Sequence, residues 1–309
     1  KAELAHECWA CLLLEGVDEL IKHLKSCSFF TGWDVARYAR SQVPIFVPLQ
    51  VPLMNDGYVN SSVTNGIATV TFHHPKSNSL PGHILQGMAN AITTCGQDPS
   101  VRVILLRSDG DKAFCAGASF DELIAINDSA TGLTFFSGFA HVINAIRKAP
   151  VLVIGRIHAH TVGGGVGLAC AVDIAYAHEK ASARLSELAI GIGPFVVGPA
   201  VERKVGKGTF GLLSASPALR RDADWCVQRG LYAEAFPTIE ALDARINAHT
   251  KELAMYSPEA MAELKRVMWS GTEDWDDLLI ERASISGRLV LSDFTKEAIA
   301  QFKATVAKG

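Results

Sequence analysis

The chain has 309 residues, of which 49% are apolar, so it can form one large domain with an appendage and is not a disordered chain. Its 29 basic and 32 acidic side chains nearly balance. The net charge of -3 argues against a nucleic-acid-binding tail or a polybasic membrane patch. No apolar run reaches about 18 residues, so we expect no membrane-spanning helix.

The cysteines and the first residues indicate a cellular compartment. Seven scattered cysteines do not fit a disulfide framework, which favours a reducing environment. Acidic residues interrupt the apolar positions of residues 1–20, which argues against a secretory signal or a transit peptide. We therefore expect a cytoplasmic protein.

Residues 1–53 differ from the rest of the chain and form a predicted N-terminal extension. Apolar residues from Leu4 to Leu24 fall on one face of a helix. Three prolines then interrupt the apolar run from Val43 to Leu53, which is typical of an edge strand or an extended linker because proline has no amide to donate. We expect this extension to pack or dock and to take no part in chemistry.

From Gly57 onward, strand and helix patterns alternate, and Asn65-Gly66 is a hairpin signal. The predicted strands are 67–73, 101–107, 151–157 and 174–177, and the predicted helices are 81–94, 133–148 and 163–171. This alternation predicts a mainly parallel, layered α/β arrangement.

After Leu212 the pattern becomes helical. Ser257 and Pro258 have the types expected at an N-cap and at the first helical position, and 272–288 and 292–302 read as two amphipathic helices. We therefore divide the chain into the extension at 1–53, an α/β core at 54–250 and a C-terminal helical region at 251–309.

Two turns rich in small residues are the first candidates for chemistry. Phe114 to Ala118 follows a strand, and Val162 to Gly167 joins a strand to a helix. Small residues let a backbone amide approach a ligand closely, and amides at a helix N-terminus can stabilise a phosphate or a developing oxyanion. The second turn lacks the spacing of a P-loop and matches the dinucleotide fingerprint poorly. Taken alone, the first turn is more simply interpreted as a tight turn.

The third candidate is the carboxylate of Glu187, which follows Ser186 and precedes the apolar run from Ala189 to Pro194. A carboxylate among apolar neighbours has a raised pKa, which suits general acid–base work, although an exposed turn glutamate is the simpler interpretation. Together, the two turns and this carboxylate predict a site that polarises a carbonyl and moves a proton beside it.

The same residues resemble the crotonase superfamily, also called the enoyl-CoA hydratase/isomerase family. The resemblance runs from about Asn60 to Phe302. It rests on His74 to Leu80, Lys112 to Ala118, Gly163-Gly-Gly165, Ser186-Glu187 with Ile190 to Pro194, and the late run Phe294-Thr-Lys-Glu-Ala298.

The resemblance implies a spiral of ββα units whose C-terminal helices build trimers, often paired into hexamers. It implies an acyl-CoA thioester as the ligand, with no separate cofactor, no metal, no nucleic acid and no membrane. By position, the amides of Ala118 and Gly164 would hold the thioester oxygen and Glu187 would be the acid/base. The resemblance also assigns substrate and CoA binding to Lys76, Asn78, Ala116, Gly117, Gly163 and Gly165.

One departure from the family pattern bears on the reaction. Typical hydratases of the family keep a second glutamate shortly after the triple glycine, and this chain has Gly167 there. The resemblance favours a hydratase lyase, with 3-methylglutaconyl-CoA-like substrates and hence leucine degradation or fatty acid metabolism. A Δ3–Δ2-enoyl-CoA isomerase, which needs one glutamate, and a non-catalytic acyl-CoA-binding member remain alternatives.

Several other residues have weaker claims on the site. His158 and His160 precede the triple glycine and are expected mainly to pack, while Cys115 has apolar neighbours and no sign of thiolate activation. Phe135, Phe136 and Phe139 are predicted as core or as the wall of an acyl pocket. Asp121 and Glu122 occupy the place where many relatives keep a lysine for the CoA phosphate, and Asp173 is expected to be structural.

Overall fold

The structure is a computed structural model, and it describes residues 56–306, with side chains to residue 301. All of these residues belong to one compact unit that begins at Met54. The predictions made for residues 1–53 lie outside the described part of the chain.

Twelve strands are present in the described residues. In chain order they are β1 (Tyr58–Thr64), β2 (Ile67–His73), β3 (Ser79–Leu80), β4 (Val103–Ser108), β5 (Ala113–Cys115), β6 (Gly117–Ala118), β7 (Leu152–Ile157), β8 (His160–Val162), β9 (Ile174–His178), β10 (Ser182–Arg184), β11 (Arg221–Asp222) and β12 (Glu234–Phe236).

Ten α-helices and one 3₁₀ turn accompany the strands in the same part of the chain. In chain order the helices are α1 (Gly82–Gln97), α2 (Phe120–Ala125), α3 (Ser129–Lys148), α4 (Gly164–Ala171), α5 (Gly198–Ser214), α6 (Ala223–Gln228), α7 (Ile239–Met255), α8 (Pro258–Met268), α9 (Trp275–Leu289) and α10 (Asp293–Val306). The 3₁₀ turn covers Glu187–Ile190.

The strands form three sheets. The largest has the order β1-β2-β4-β7-β9-β12, with β1 antiparallel to β2 and all other neighbours parallel. A second sheet has the order β11-β10-β8-β5, and β3 pairs with β6 in a third. Successive units thus give a long strand to the large sheet, a short strand to a smaller sheet and then a helix, which produces a spiral of ββα units.

The first hairpin shows how the local sequence produces this order. Asn65 and Gly66 both have positive φ, at 52° and 78°, as a two-residue type I′ turn requires. In β2 every second residue is buried, so Ala68, Val70 and Phe72 face the core. In contrast, β4 and β7 are buried on both faces, as expected for central parallel strands.

The main core lies between the large sheet and the helices packed on it. Ile84, Leu85, Met88 and Ile92 of α1 are all buried at helical spacing. Helices α3 and α9 are in close contact at two glycines. A Cβ on Gly132 would lie only 2.9 Å from the Cα of Gly287.

The predicted strands and helices of the α/β core are confirmed, with boundaries shifted by a few residues. Several elements were not predicted individually: the short strands β3, β5, β6, β8, β10, β11 and β12, and the helices α2, α5, α6 and α7. The proposed division at residue 250 falls inside α7. Within residues 56–306, no helix is long and apolar enough to cross a membrane.

Candidate active site

A cavity of about 340 Å³ lies where the two small-residue turns meet the 3₁₀ turn. All three residues predicted to act in catalysis, Ala118, Gly164 and Glu187, line it. Most of the remaining wall is apolar and includes aromatic rings from α3 and the segment from Ile192 to Val197. An apolar wall strengthens electrostatic interactions inside the cavity.

The first turn is held by pairing between β3 and β6, with Ser79 opposite Gly117 and Leu80 opposite Ala118. Gly117 has φ of 96°, a conformation that favours glycine. A Cβ placed on Gly117 would lie 3.2 Å from the carbonyl oxygen of Val162 and 3.8 Å from the amide nitrogen of Gly164. The two turns are therefore direct neighbours.

The second turn places the N-terminus of α4 at the cavity. Gly163 is the N-cap, with φ of 54° and no side chain to cap the helix. The amides of the first helical turn have no acceptor inside the helix, and they lie at the positive end of its dipole. A Cβ on Gly164 would lie 2.2 Å from Cζ of Phe139, so only glycine lets this turn pack against the aromatic wall.

The Glu187 side chain reaches over the glycine turn. Its Oε1 atom lies 3.1 Å from the position that a Cβ on Gly163 would take. Its Oε2 atom is buried and has no hydrogen-bond partner among the described residues. Burial raises the pKa of Glu187 to about 7, against the opposing effects of the amides of Glu187 and Ser186 and of the Arg184 charge.

Helix α10 supports the turn that carries Glu187. Gly191 ends the 3₁₀ turn in the left-handed conformation, with φ of 78°. A Cβ on Gly191 would lie 2.5 Å from Cδ1 of Phe294 and 2.7 Å from Oγ1 of Thr295. The close packing fixes the position of the turn relative to the C-terminal helix.

The position of Gly167 faces an apolar side chain rather than open space. A Cβ on Gly167 would lie 2.3 Å from Cγ1 of Val197, a residue of the cavity wall. A longer side chain at this position has no room unless Val197 moves. Among the lining residues that the structure describes, Glu187 is the only carboxylate.

A single carboxylate beside two backbone turns can perform a defined kind of chemistry. The amides can stabilise negative charge that develops on a carbonyl oxygen, and a carboxyl group with a pKa near 7 can take up and return a proton. Among the described residues no group of three or more His, Cys, Asp and Glu side chains is placed to hold a metal ion.

The comparison with known families agrees with this geometry. The sequence model of the enoyl-CoA hydratase/isomerase family matches residues 62–303. The chain belongs to the enoyl-CoA hydratase/isomerase family.

Individual members of the family are similar to this chain over different lengths. A probable enoyl-CoA hydratase of Bacillus subtilis (strain 168) is 27% identical over 248 residues, which cover 79% of this chain and 95% of that protein. The mitochondrial methylglutaconyl-CoA hydratase of Rattus norvegicus is 37% identical over 117 residues, 38% of this chain and 37% of that protein.

A solved member of the family confirms the predicted crotonase-like fold. The crystal structure of enoyl-CoA hydratase from Bacillus halodurans superposes with a TM-score of 0.74 at 19% identity, covering 79% of this chain and 99% of that one. At this identity the likeness concerns the fold alone.

The residues predicted to bind substrate in this hydratase/isomerase family member divide into two groups. Ala116, Gly117 and Gly163 line the cavity. Gly165 does not, because it faces β5: a Cβ there would lie 2.2 Å from the carbonyl oxygen of Cys115. Glycine at 165 therefore lets α4 pack against β5.

Lys76 and Asn78 also lie outside the cavity lining. Asn78 is buried with φ of 54°, and its amide group donates to the carbonyls of Asp109 (2.8 Å) and Ala113 (2.9 Å) and accepts from the His74 amide (2.7 Å). Its side chain thus holds the loop before β3. Exposed Lys76 forms an ion pair with Asp121. Neither side chain is presented to the cavity.

The weaker candidates resolve mostly into structural roles. His158 and His160 do not line the cavity, and burial lowers the pKa of His158 to about 4. Burial raises the pKa of Cys115 to about 12, so its thiol is not ionised at neutral pH. Asp173 is buried in a hydrogen-bond network. Phe135, Phe136 and Phe139 all line the cavity.

Arg184 is a cavity residue that the sequence analysis did not identify. It lies on β10, three residues before Glu187, and is half-buried. Its spacing from Glu187 was visible in the sequence, but the face of β10 that meets the cavity was not, since that depends on the pairing of β10 with β8.

A larger cleft of about 1190 Å³ lies beside the cavity and shares Gly193, Pro194 and Phe195 with it. It is lined mainly by α5 and by residues between Met268 and Arg282. None of the three predicted catalytic residues lines this cleft. The chemistry therefore belongs to the smaller cavity.

Proposed function

We propose that this protein hydrates a 2-enoyl-CoA thioester, with coenzyme A present only as part of the substrate. The observation that carries the proposal is the carboxyl group of Glu187, buried beside the glycine turn with a pKa raised to about 7. The family membership supports an acyl-CoA substrate. Ala118 and Gly164 supply the amides that hold the thioester oxygen.

In this reaction, one carboxylate serves two steps. Glu187 takes a proton from water as the water oxygen bonds to C3, and the electrons of the double bond move through C2 to the thioester oxygen. The enolate that forms is held by the two amides. Glu187 then returns the proton to C2, so that water has been added across the double bond and the carboxylate is regenerated.

The wall around Gly167 favours a second candidate, a Δ3–Δ2-enoyl-CoA isomerase. Val197 fills the place that a carboxylate on residue 167 would need. An isomerase requires one carboxylate only, because Glu187 would remove a proton from C2 and return it to C4 while the same amides hold the dienolate. The acid/base group moves a proton in both reactions, but only hydration requires a bound water.

We further propose a 3-methylglutaconyl-CoA-like substrate, and with it a role in leucine degradation or fatty acid metabolism. The support is the local similarity of 37% over 117 residues to the mitochondrial methylglutaconyl-CoA hydratase of Rattus norvegicus. We also propose a cytoplasmic homotrimer or hexamer built through the helical region after residue 250. Size-exclusion chromatography with light scattering measures the oligomer directly, and a monomer at micromolar concentration would contradict it.

The test of the function is a panel of crotonyl-CoA, 3-methylglutaconyl-CoA and a 3-enoyl-CoA incubated in oxygen-18 water. Hydration predicts a 3-hydroxyacyl product that carries the heavy oxygen. A shifted double bond without label would establish the isomerase instead. Binding of all three thioesters without turnover would contradict both reactions and leave the non-catalytic acyl-CoA-binding interpretation.

A further inference from the structure

The cavity wall carries few charged side chains, and only one of them has a role in the proposed reaction. Among the lining residues that the structure describes, Arg184 and Glu187 are the only charged ones, and the rest are apolar, glycine or serine. Glu187 is accounted for by the proposed proton transfer. Arg184 has no part in that step, so its presence in an apolar acyl cavity needs its own explanation.

The backbone fixes Arg184 at the edge of the glycine turn. Its carbonyl oxygen accepts a hydrogen bond from the Gly163 amide at 2.8 Å. It pairs with Val162 in the parallel register of β10 and β8, and Val162 also lines the cavity. The preceding Ala183 is fully buried in the core, so Arg184 projects from the opposite face of the strand.

The guanidinium of Arg184 lacks a protein partner of opposite charge. Its Nε atom is buried without a hydrogen-bond acceptor, and no carboxylate of residues 56–301 forms an ion pair with it. Among the other arginines with little exposed surface, Arg156 and Arg147 form ion pairs with Asp243 and Asp276. Arg221 and Arg282 also have a buried Nε without an acceptor, but neither of them lines the cavity. Leaving such a cation uncompensated costs free energy, which a bound anion would offset.

A second arginine, Arg220, adds positive charge close to Arg184. Arg220 donates to Oγ of Ser182 at 3.0 Å, on the same strand as Arg184. The charge of Arg184 contributes to a lowered pKa of Arg220, after burial as the main cause, so the two guanidinium groups are close enough to repel each other. The local potential therefore favours an anion.

We propose that Arg184 binds a carboxylate on the acyl group, so that the preferred substrates are CoA thioesters of dicarboxylic acids. A guanidinium presents a planar pair of donors that matches a carboxylate in a bidentate hydrogen bond. The inference deepens the proposed function, on which it rests for the identity of the thioester. Arg184 then selects the substrate, and Glu187 carries out the proton transfer.

The first experiment compares glutaconyl-CoA, a 2-enoyl-CoA that ends in a carboxylate, with crotonyl-CoA, which lacks one. The readout is the ratio of the two kcat/KM values, because any effect of Arg184 on Glu187 acts on both substrates and cancels. Arg184→Met should lower the ratio about 10- to 100-fold, as expected for loss of a charge-assisted hydrogen bond. Arg184→Lys should give an intermediate ratio because it keeps the charge without the planar donors.

A matched control removes the charge of an arginine that lies outside the cavity. Arg229 is an exposed arginine outside the cavity lining. Arg229→Met should leave the ratio at the wild-type value. A ratio unchanged in Arg184→Met, or lowered equally in Arg229→Met, would overturn the inference.

A second measurement uses the unaltered protein and needs no turnover. Calorimetric titration with the saturated thioesters glutaryl-CoA and butyryl-CoA should show glutaryl-CoA binding at least about tenfold more tightly. Equal or weaker binding of glutaryl-CoA would overturn the inference even where the variants fail to fold. Selective binding of glutaryl-CoA without turnover of any enoyl-CoA would contradict the proposed reaction and leave the role of Arg184 supported.

Discussion

At the scale of single residues, the state of the Glu187 carboxyl group determines what the cavity can do. Burial raises its pKa to about 7, and its Oε2 atom has no hydrogen-bond partner among the described residues. A carboxyl group with this pKa exchanges protons readily at neutral pH, whereas one with an ordinary pKa is a weak base. The apolar run after Glu187 pointed to a raised pKa, but the sequence alone favoured an exposed turn glutamate as the simpler interpretation.

The pH dependence of the reaction tests the raised pKa of Glu187. Glu187 must be ionised in the free enzyme to accept a proton, and its pKa lies near 7. We therefore expect kcat/KM to be constant above about pH 8 and to fall about tenfold for each pH unit below 7.

The Arg184→Met variant serves as a companion measurement for the pH profile. The Arg184 charge lowers the pKa of Glu187, so removing it should move the fall in kcat/KM to higher pH. A profile that stays constant down to pH 5 would contradict a raised pKa at Glu187.

The sequence did not show which of the candidate side chains face the cavity. Asn78 and Lys76 lie in a stretch that resembles the family, yet Asn78 bonds to backbone groups and Lys76 pairs with Asp121. Arg184 was overlooked for the converse reason, since no motif marks it. Whether a side chain faces a cavity depends on strand register and loop packing, which follow from contacts distant in the sequence.

At the scale of elements, the close contact of α4 with β5 positions the amides of the site. Gly165 allows this contact, because its Cα faces the carbonyl oxygen of Cys115. A triple glycine after a strand was enough to predict a turn into a helix. The sequence did not show that Gly165 serves packing while Gly163 and Gly164 line the cavity.

Substitution of Gly165 measures this packing. A Cβ on residue 165 would lie 2.2 Å from a backbone oxygen, which cannot rotate away. Gly165→Ala should therefore lower the free energy of unfolding by about 3 kcal/mol, as for severe overpacking, and should reduce activity by displacing the Gly164 amide. Urea unfolding followed by circular dichroism gives the first quantity.

Gly208 in α5 provides the control for the change from glycine to alanine in a helix. No atom lies within 4 Å of the position of its Cβ. Gly208→Ala should leave stability unchanged or raise it by up to about 1 kcal/mol, through helix propensity alone. Equal effects of the two substitutions would contradict a packing role for Gly165.

Sequence patterns did not individually predict the short strands or the helices α2, α5, α6 and α7, and β12 shows the reason for the strands. β12 has three residues and joins the edge of the large sheet by pairing with β9, more than 50 residues earlier in the chain. A strand this short has no readable alternation, and its existence depends on a distant partner.

At the scale of the whole molecule, a buried polar network joins the C-terminal helices to the spiral. Asp173 accepts hydrogen bonds from the Val153 amide (2.7 Å), Nζ of Lys265 (2.5 Å) and Nε1 of Trp269 (2.7 Å). Lys265 and Asp173 have almost no exposed side-chain surface. The structural role predicted for Asp173 fits this network, whose partners lie 92 and 96 residues away.

Removal of Asp173 alone should cost more stability than removal of Asp173 and Lys265 together. Asp173→Ala leaves the Lys265 ammonium buried without its counter-charge, and we expect the free energy of unfolding to fall by about 3–5 kcal/mol. Asp173→Ala combined with Lys265→Met should recover part of that loss, because the Lys265 ammonium is then no longer buried without its counter-charge. A double variant that is less stable than Asp173→Ala would contradict this account.

The ββα spiral was expected from the resemblance to the family, and the alternation of long strands and helices was predictable from local patterns. The way the units close on one another was not. The cavity is lined by segments from Ser79 to Ser286, and their meeting depends on sheet order rather than on any local signal.

The most direct test of the central claim, that Glu187 transfers the proton, is the rate of Glu187→Gln on the best substrate of the thioester panel. Glutamine keeps the shape of the side chain and removes its proton chemistry. We expect kcat to fall by about 10²- to 10⁴-fold with the fold intact by circular dichroism, while exposed Glu240→Gln keeps the wild-type rate. A Glu187→Gln enzyme that retains the wild-type kcat would contradict the account.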